Sequence, residues 1–356
     1  MQKTDVILYF YPQKATFVQK DLDILNQEFT VYECGFQASQ KWKTPILFLK
    51  QIAFLLTHFA SWKKATAIVQ FAGYHSFIPS LWAKLFSRPC IIVAGGMDCV
   101  SFPSLGYGNF QNRLLALFSA WSYRLVKVVS AVHKSLFIRK DNYYLESESE
   151  QGILHFVPTA RFIQNEIPNG FDTTLFAIKS QWAERKTNSF ISISASLDDP
   201  IRMKLKGIDM VLELAKACPE FSFTLVGSSG GVNLNIPGNV NLVPFVANDQ
   251  LPDLYNQHQF YMQLSISEGF PNSVCEAMAC GCIPIVSAVA SMPEIVGETG
   301  LIISKRDINE LKSNVLSYIK TSGLDLISSK CADSILKRYP LERRNEELIK
   351  LIKSLN

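Results

Sequence analysis

Two carboxylates eight positions apart are the residues of this sequence most suggestive of chemistry. Glu268 and Glu276 lie in a small and apolar run, SEGFPNSVCEAMACGCIPIV (267–286), with Pro271 between them. A proline is tolerated in the first turn of a helix, because the N–H that it lacks has no acceptor there. We therefore expect a helix that begins at Pro271 and leaves the N–H groups of residues 272–274 free. Such a helix start binds anions, including phosphate groups.

The two acids supply hydrogen-bond acceptors beside that phosphate site. A nucleotide sugar presents ribose and hexose hydroxyls next to its diphosphate, and carboxylates accept hydrogen bonds from hydroxyls. Two simpler interpretations stay open: Glu276 complements the helix dipole, and Glu268 is a solvated loop residue. A glycosidase pair is a further alternative, and it requires two carboxylates at a set separation across the bond that breaks.

The elements around this stretch place it at the edge of a sheet. Residues 259–265 and 282–287 are apolar and strand-like, and Gly281 suits the end of the helix between them. In an open α/β sheet, ligands bind at the carboxyl ends of the parallel strands. The loop that carries Glu268 follows such a strand end.

Strand-like apolar runs alternate with helix-length segments along the whole chain. The runs cover residues 5–12, 67–72, 90–95, 126–132, 152–158, 188–196, 221–227, 240–246, 259–265, 282–287 and 300–304. This alternation predicts an α/β protein with two Rossmann-like parallel-sheet domains facing a cleft. Turn-forming residues at 168–170 set the boundary, so we predict a first domain over 1–167 and a second over 168–339. The helical segment 340–356 is expected to pack back on the first domain.

Composition limits the class of protein. Of 356 residues, 48% are apolar and 19% are charged, which favours a globular protein and excludes a disordered one. The eight cysteines lack zinc-type pairing, and no signal peptide opens the sequence, so we expect reduced core thiols and a cytoplasmic location.

Net charge is +4, and residues 1–170 hold 17 Lys and Arg against 11 Asp and Glu. That excess suits an anionic partner surface, although a solvated basic face is the simpler explanation.

The most hydrophobic window, residues 46–60, is too short to span a bilayer. Trp and Lys flank it on both sides, a pattern typical of a helix that lies in the membrane interface. We therefore expect that segment 40–66 allows peripheral contact with a membrane. A helix that faces the protein core with polar flanks is the alternative.

The stretch from Glu268 to Glu276 and the residues after it closely resemble the Glu-x7-Glu donor motif of the group 1 retaining glycosyltransferases. This is the glycogen-synthase-like family with the GT-B architecture. The resemblance extends upstream through residues 239–267, 202–216 and 167–176, and it covers residues 165–300 well. The first 165 residues share only the alternation of strands and helices.

The resemblance implies a donor site in the second domain. Glu276 is expected to accept from the donor ribose, and Glu268 is expected to face the sugar at the reacting end. Lys206 matches the phosphate-binding Lys of the family. Arg202 matches the Arg of the family, but it lies four positions before the Lys instead of five. Lys204 therefore competes with Arg202 for the role of the Arg. Residues expected to line the sugar and the diphosphate, or to receive the base, are Gly269, Phe270, Pro271, Asn272, Ser273, Phe245 and Val246. An ordinary surface lysine is the alternative for Lys206.

The first domain departs from the family pattern. Many members have a Gly-rich loop after the first strand, whereas residues 11–21 here contain no glycine. Asp98 follows two glycines at a strand end and is the preferred acceptor-side base or orienting group, with His75 as the second choice. Either side chain is alternatively structural.

The sequence thus predicts a retaining glycosyltransferase. It is expected to transfer a hexose from a nucleoside diphosphate sugar to a saccharide or lipid-linked acceptor, in bacterial surface polysaccharide or glycan synthesis. No cofactor or metal is expected, because the Asp-x-Asp pattern at 21–23 opens a helical segment and GT-B enzymes generally work without a catalytic metal. An epimerase or hydrolase of the same fold and a non-catalytic sugar-nucleotide-binding protein are the alternatives. No dinucleotide fingerprint or nucleic-acid motif is present.

Overall fold

The chain divides into two compact units. The computed structural model describes residues 5–37, 44–144, 149–194, 197, 199–228 and 236–355. The first unit comprises Met1–Arg139, Glu150–Pro168 and Glu342–Asn356, and the second comprises Lys140–Ser149 and Asn169–Leu341. The main boundary falls at 168/169, against 167/168 in the sequence analysis, and the short segment 140–149 joins the second unit.

The first unit is built on a six-stranded sheet in the order β2-β1-β3-β4-β5-β8, and every neighbouring pair is parallel. Its strands are β1 (Val6–Tyr11), β2 (Thr30–Gly35), β3 (Ala65–Gln70), β4 (Cys90–Ala94), β5 (Val128–Ala131) and β8 (Ile163–Glu166). Its helices are α1 (Thr16–Glu28), α2 (Thr44–Thr57), α3 (Tyr74–Leu85), α4 (Arg113–Leu125), α5 (Ile153–Phe156) and α13 (Leu341–Leu355). Short strands β6 (Arg139–Asp141) and β7 (Ser149–Gln151) pair separately.

The terminal helix α13 is part of the core of the first unit. Leu348 and Ile352 are buried together with apolar residues of α1 and of the sheet. An ion pair joins Arg344 to Asp21 at 2.6 Å, and both side chains are largely buried. Asp21 also accepts hydrogen bonds from the Tyr9 hydroxyl and the Gln70 amide. The first Asp of the Asp-x-Asp pattern therefore holds the helix layer against the sheet.

The second unit repeats this architecture. Its sheet runs β11-β10-β9-β12-β13-β14, with parallel pairing throughout. The strands are β9 (Lys186–Ile193), β10 (Ser222–Ser228), β11 (Val240–Pro244), β12 (His258–Gln263), β13 (Ile283–Ser287) and β14 (Leu301–Ile303). The helices are α6 (Pro200–Lys206), α7 (Ile208–Ala217), α8 (Leu251–Tyr255), α9 (Asn272–Ala279), α10 (Met292–Val296), α11 (Ile308–Tyr318) and α12 (Leu324–Arg338). The predicted pair of parallel-sheet α/β domains is confirmed.

One predicted strand is wrong. Residues 152–158 were expected to form a strand, but Ile153–Phe156 form one short helical turn. Gly152 precedes the turn with φ 115°, and a Cβ there would lie 2.6 Å from the carbonyl oxygen of Phe137. This close approach of two backbone segments prevents the extended strand that the apolar composition of the segment favoured. The strand β8 comes later in the chain, just before the boundary at residue 168.

The apolar window 46–60 forms α2 and the turn that follows it. Apolar side chains along α2 point away from the core: Ile46, Leu49, Ile52 and Leu56 are 41–66% exposed. Residues 40–43 of the expected membrane-contact segment lie outside the described residues. Among the helices that the structure describes, none has the length and apolar character needed to cross a membrane.

Candidate active site

Glu268 is the centre of a connected polar network in the second unit. Its Oε1 accepts hydrogen bonds from Lys206 Nζ at 2.6 Å and from Gln263 Nε2 at 2.8 Å. The amide oxygen of Gln263 accepts in turn from the hydroxyls of Tyr261 and Ser273, at 2.8 and 2.9 Å. Burial raises the pKa of Tyr261, so this phenol stays a donor. Within the described part of the chain no hydrogen bond falls on Glu268 Oε2, which leaves that oxygen to accept from a ligand hydroxyl.

Lys206 reaches Glu268 because the end of α6 is held against the loop after β12. The carbonyl oxygen of Leu205 accepts a hydrogen bond from the N–H of Ile266 at 2.8 Å. Gly207 follows with φ 71°, and a Cβ at this position would lie 2.1 Å from the carbonyl oxygen of Leu264. Only glycine allows both that conformation and that approach. The ammonium is 36% exposed and the Glu268 carboxylate 10%, so the pair lies at the surface of the unit.

The helix beside Glu268 begins one residue later than expected. Helix α9 covers Asn272–Ala279, and Pro271 is its N-cap residue instead of its first residue. The N–H of Val274 is not free, because it donates to the carbonyl of Pro271 at 3.1 Å. The N–H groups of Asn272 and Ser273 have no acceptor among the described residues. The anion site at this helix start therefore consists of two amides, where three were predicted.

The end of α9 is as predicted. Gly281 has φ 81° and its N–H donates to the carbonyl of Met278, while the N–H of Cys282 donates to the carbonyl of Ala277. This is the Schellman arrangement, in which a left-handed residue satisfies the last helical carbonyls. It turns the chain directly into β13.

Buried polar atoms without partners lie beside the two acids. Ser267 Oγ and Asn272 Oδ1 are inaccessible to solvent and have no hydrogen-bond partner in the structure. Unpaired buried polar groups are rare in folded proteins, and they occur where a ligand supplies the partner. The loop itself is fixed, because Ser291 Oγ donates to the carbonyl of Gly269 at 2.8 Å. Phe270 anchors it by packing its buried ring against Tyr339.

Glu276 lies within α9 and is only 8% exposed. Asn248 Nδ2 donates to its Oε1 at 3.4 Å. Asn248 follows the loop that carries Phe245 and Val246, and the Phe245 ring is 75% exposed. An aromatic ring this open after a strand end is available to stack on a nucleobase. The hydrogen bond of Asn248 thus connects the loop expected to receive the base with the acid expected to receive the ribose.

Arg202 and Lys204 take different positions on α6. The Arg202 side chain is 63% exposed and lies 3.6 Å from Asp199, the N-cap residue of the helix. Lys204 lies over the ring of Tyr144, 5.4 Å from its centroid. Lys204 is thus engaged in a cation–π contact, whereas Lys206 contacts Glu268. Of the two alternatives for the second cation, Arg202 is the one free of a ring contact in the described structure.

Asp98 is committed to holding its own loop in the first unit. Its two carboxylate oxygens accept from the backbone N–H groups of Ala72, Gly95 and Gly96, at 3.0–3.1 Å, and from the Tyr123 hydroxyl at 2.8 Å. A carboxylate has about four acceptor positions. At 2% exposure, none is left to receive a substrate proton. These bonds favour the structural role that the sequence analysis gave as its alternative over a role as the acceptor-side base.

His75 is buried and neutral. Its Nε2 lies 2.7 Å from the carbonyl oxygen of Gln70, so Nε2 carries the proton. Burial lowers the pKa of this imidazole to about 4. The other nitrogen, Nδ1, faces Gly73. Two residues before that glycine, Phe71 has a positive φ of 64°, which is uncommon for a residue other than glycine. Backbone strain of this kind at a strand end is frequent at functional sites.

Sequence reasoning missed the residues that connect the predicted ones. Gln263, Tyr261 and Asn248 were not singled out, since an isolated amide in a strand or loop carries no spacing signal. A glutamine as the last residue of the fully buried strand β12 was the available clue, because a buried amide requires partners. In the described ranges no three His, Cys, Asp or Glu side chains are grouped so as to hold a metal ion. The expectation of a metal-free reaction stays a prediction.

Comparison with known proteins matches the same part of the chain to glycosyltransferases. Residues 199–321 match the family model "Glycosyl transferases group 1". The chain is 27% identical over 118 residues to the O-antigen chain mannosyltransferase B of Escherichia coli, which covers 33% of this chain and 31% of that protein. It is 28% identical over 205 residues to an uncharacterized glycosyltransferase of Haemophilus influenzae, covering 48% of this chain and 57% of that protein. The chain thus spans about a third to just over half of the length of these relatives.

Solved structures share the fold along the whole chain. Sucrose-phosphate synthase of Thermosynechococcus elongatus superimposes with a TM-score of 0.74 at 13% identity, over 99% of both chains. HepE of Anabaena, solved with UDP and glucose, gives 0.70 at 16% identity, over 99% of this chain and 100% of that chain. The fold is therefore the GT-B architecture. Residues 199–321 thus match the group 1 glycosyltransferases, in agreement with the family resemblance over that range.

Proposed function

We propose that this protein is a retaining hexosyltransferase that uses a nucleoside diphosphate sugar. The observation that carries the proposal is the contact of Lys206 with Glu268, beside the open start of α9 and within the region that matches the family. A cation, two free amides and an unused carboxylate oxygen are the groups needed to hold a diphosphate and an adjoining sugar. The relatives named above as glycosyltransferases support the same class of reaction.

In the proposed donor complex each group has one role. The amides of Asn272 and Ser273 and the ammonium of Lys206 hold the diphosphate, and Arg202 adds charge from the exposed side of α6. Glu268 Oε2 accepts from a hydroxyl of the sugar, and Glu276 accepts from the ribose. An ammonium has three protons, so Lys206 is able to keep its bond to Glu268 while it contacts a phosphate oxygen.

Transfer then proceeds by front-face displacement. The bond between the anomeric carbon and the β-phosphate oxygen breaks, and its electron pair leaves with the diphosphate. The acceptor hydroxyl attacks the same face, and its proton passes to the departing phosphate oxygen. Lys206 and the helix amides stabilise the negative charge that develops on the diphosphate. This step needs no covalent enzyme intermediate.

On the acceptor side we propose His75, before Asp98, as the group that orients the acceptor. A neutral imidazole at pH 7 has an unprotonated nitrogen, and Nδ1 of His75 is that nitrogen. The acceptor is proposed to be a saccharide or a lipid-linked glycan of bacterial surface polysaccharide synthesis. The protein is accordingly proposed to act in the cytoplasm at the inner face of the membrane. The exposed apolar face of α2 supports this location better than the alternative of a helix that faces the core.

Two measurements test the proposal. Thermal shift across uridine, guanosine and adenosine diphosphate sugars is expected to identify one donor that stabilises the protein. Release of nucleoside diphosphate from that donor, with and without saccharide acceptors, then reports transfer. Lys206→Ala and Glu276→Ala are expected to abolish transfer, whereas Lys204→Ala, a matched change on the same helix, keeps it.

The results separate the alternatives. Full transfer by Lys206→Ala or Glu276→Ala would refute the assigned site. Turnover of the donor to a free or epimerised sugar without acceptor would favour an epimerase or hydrolase. Tight donor binding with no turnover across the acceptors would favour a non-catalytic binding protein.

A further inference from the structure

The first unit contains a basic cavity that none of the roles above uses. It has a volume of about 580 Å³ and lies between the last turns of α3 and α4 and the first residues of β4 and β5. This is the amino end of the sheet, whereas Asp98 and His75 follow the carboxyl ends of β4 and β3. The cavity is therefore distinct from the acceptor-side residues of the same unit.

Positive charge dominates the cavity wall. Its lining includes five cations and, in this fully described set, no acidic residue; the cations are Lys84, Arg88, Arg124, Lys127 and Arg161. Within the described chain none of these five lies in an ion pair. Hydrogen bonds from the three guanidinium groups go to neutral oxygens, of Ala65, Thr159, Pro158 and Ala160. The guanidiniums are thus oriented while their charge stays available to an anion.

The surrounding sequence carries almost no compensating acid. Residues 34–140 contain 13 Lys and Arg and a single acidic residue, Asp98, which is 2% exposed and bonded internally. The rest of the chain holds 22 Lys and Arg against 30 Asp and Glu. The positive field of the cavity is therefore not offset by carboxylates of the same stretch.

An exposed apolar edge adjoins the cavity. Leu85 and Phe86 are 69% and 50% exposed, and they stand in the chain between the lining residues Lys84 and Ser87. The Phe86 ring contacts Trp62, with ring centroids 4.4 Å apart, and Trp62 contacts the exposed Phe59 at 5.0 Å. Aromatic and aliphatic side chains beside clustered cations fit the boundary between lipid headgroups and acyl chains. A soluble anion would make no use of this apolar edge.

We propose that the cavity binds phosphate groups of anionic lipids at a bilayer surface, while Leu85, Phe86 and Phe59 enter the headgroup layer. This deepens the membrane contact of the proposed function and gives it a defined lipid site outside α2. The occupant is a lipid phosphate, because charge and apolar edge together match a headgroup and its adjoining chain.

Vesicle flotation tests the proposal without any enzymatic readout. The full chain is mixed with phosphatidylcholine vesicles with and without phosphatidylglycerol. We expect binding only to the anionic vesicles, and about tenfold or greater loss of it in Lys84→Glu/Lys127→Glu, since each basic residue near the surface contributes about 1 kcal/mol. The control Lys320→Glu/Lys330→Glu makes the same charge change at exposed positions of the second unit and is expected to bind as the wild type does.

A second pair of measurements separates a lipid from a free anion. Leu85→Ser/Phe86→Ser is expected to weaken flotation while leaving binding of inorganic pyrophosphate, measured by calorimetry, unchanged. Equal flotation of the cavity variant and its control, or no wild-type flotation, would overturn the proposal. If the wild type does not float but binds pyrophosphate, and Lys84→Glu/Lys127→Glu removes that binding, the cavity would be assigned to a soluble phosphate instead. Donor thermal shift in Lys84→Glu/Lys127→Glu is expected to stay at the wild-type value, so failure here is distinct from failure of the donor site.

Discussion

Replacing Lys206 and replacing Glu268, each in a separate variant, are expected to change the affinity for a diphosphate in opposite directions. Lys206→Met removes the ammonium that contacts the phosphate, and a charge-assisted hydrogen bond contributes about 1.5–3 kcal/mol. We therefore expect a nucleoside diphosphate without sugar to bind about tenfold to a hundredfold more weakly. Glu268→Gln removes a negative charge that lies 2.6 Å from that ammonium and next to the proposed phosphate position.

For Glu268→Gln the expected sign is reversed. Lys206 is no longer shared with a carboxylate, and the repulsion between carboxylate and diphosphate is gone. Binding of the sugar-free diphosphate is expected to stay the same or to tighten by about 1 kcal/mol, roughly fivefold, for a pair this close to solvent. Transfer of the sugar is expected to fall strongly, because Oε2 no longer accepts from the sugar hydroxyl.

Isothermal titration with UDP, GDP and ADP measures both variants, and urea unfolding of the free proteins corrects for any loss of stability. The stability correction matters because Lys206→Met leaves Glu268 with Gln263 as its remaining donor in the described structure. Equal weakening of diphosphate binding by both substitutions would refute the assignment of separate roles. Unchanged binding in Lys206→Met would remove this lysine from the phosphate site.

Three further substitutions test the geometry. Gly207→Ala is expected to lower the free energy of unfolding by at least about 2 kcal/mol, because the new Cβ meets a carbonyl oxygen. The control is Gly323→Ala, at φ 75° with its nearest atom 3.9 Å away, which is expected to lower it by about 1 kcal/mol. Urea unfolding measures both. Asp98→Asn is expected to cost about 2–4 kcal/mol, because an amide nitrogen then faces N–H donors, and full stability with lost transfer would restore Asp98 as a base. His75 has a folded pKa of about 4 against 6.5, so it binds a proton more weakly when folded and stability is lost as pH falls through this window. We expect His75→Gln to reduce the loss between pH 7 and pH 5 by about 2 kcal/mol, and an unchanged pH profile would contradict the buried neutral imidazole.

Sequence patterns predicted the features of the fold that depend on residues close together in the chain. The strands around α9 and the end of this helix at Gly281 follow from apolar periodicity and from one glycine, and both are found in the structure. The start of α9 was misplaced by one residue, since a proline suits both the N-cap and the first turn. The choice between them depends on the loop that precedes the helix.

Contacts between residues far apart in the chain could not be predicted from sequence patterns. Lys206 and Glu268 are 62 positions apart, and their pairing depends on how Gly207 packs against Leu264, in the loop after β12. Asp98 shows a second limit: an acid after two glycines at a strand end has the pattern of a catalytic group, whatever its partners in the fold. The hydroxyl of Tyr123, which occupies its last acceptor position, comes from a separate helix that no spacing rule connects to it.

The close approach of Gly207 to Leu264 has a consequence for how related sequences can vary. Because one backbone hydrogen bond and one glycine contact set the separation of Lys206 and Glu268 directly, the number of residues between them does not. Insertions or deletions in surface loops between α7 and β12 are therefore expected to leave this pair in place. In the proposed donor site, selection could then act on those loops, Phe245 among them, to exchange one nucleobase for another without rebuilding the groups proposed to hold the diphosphate.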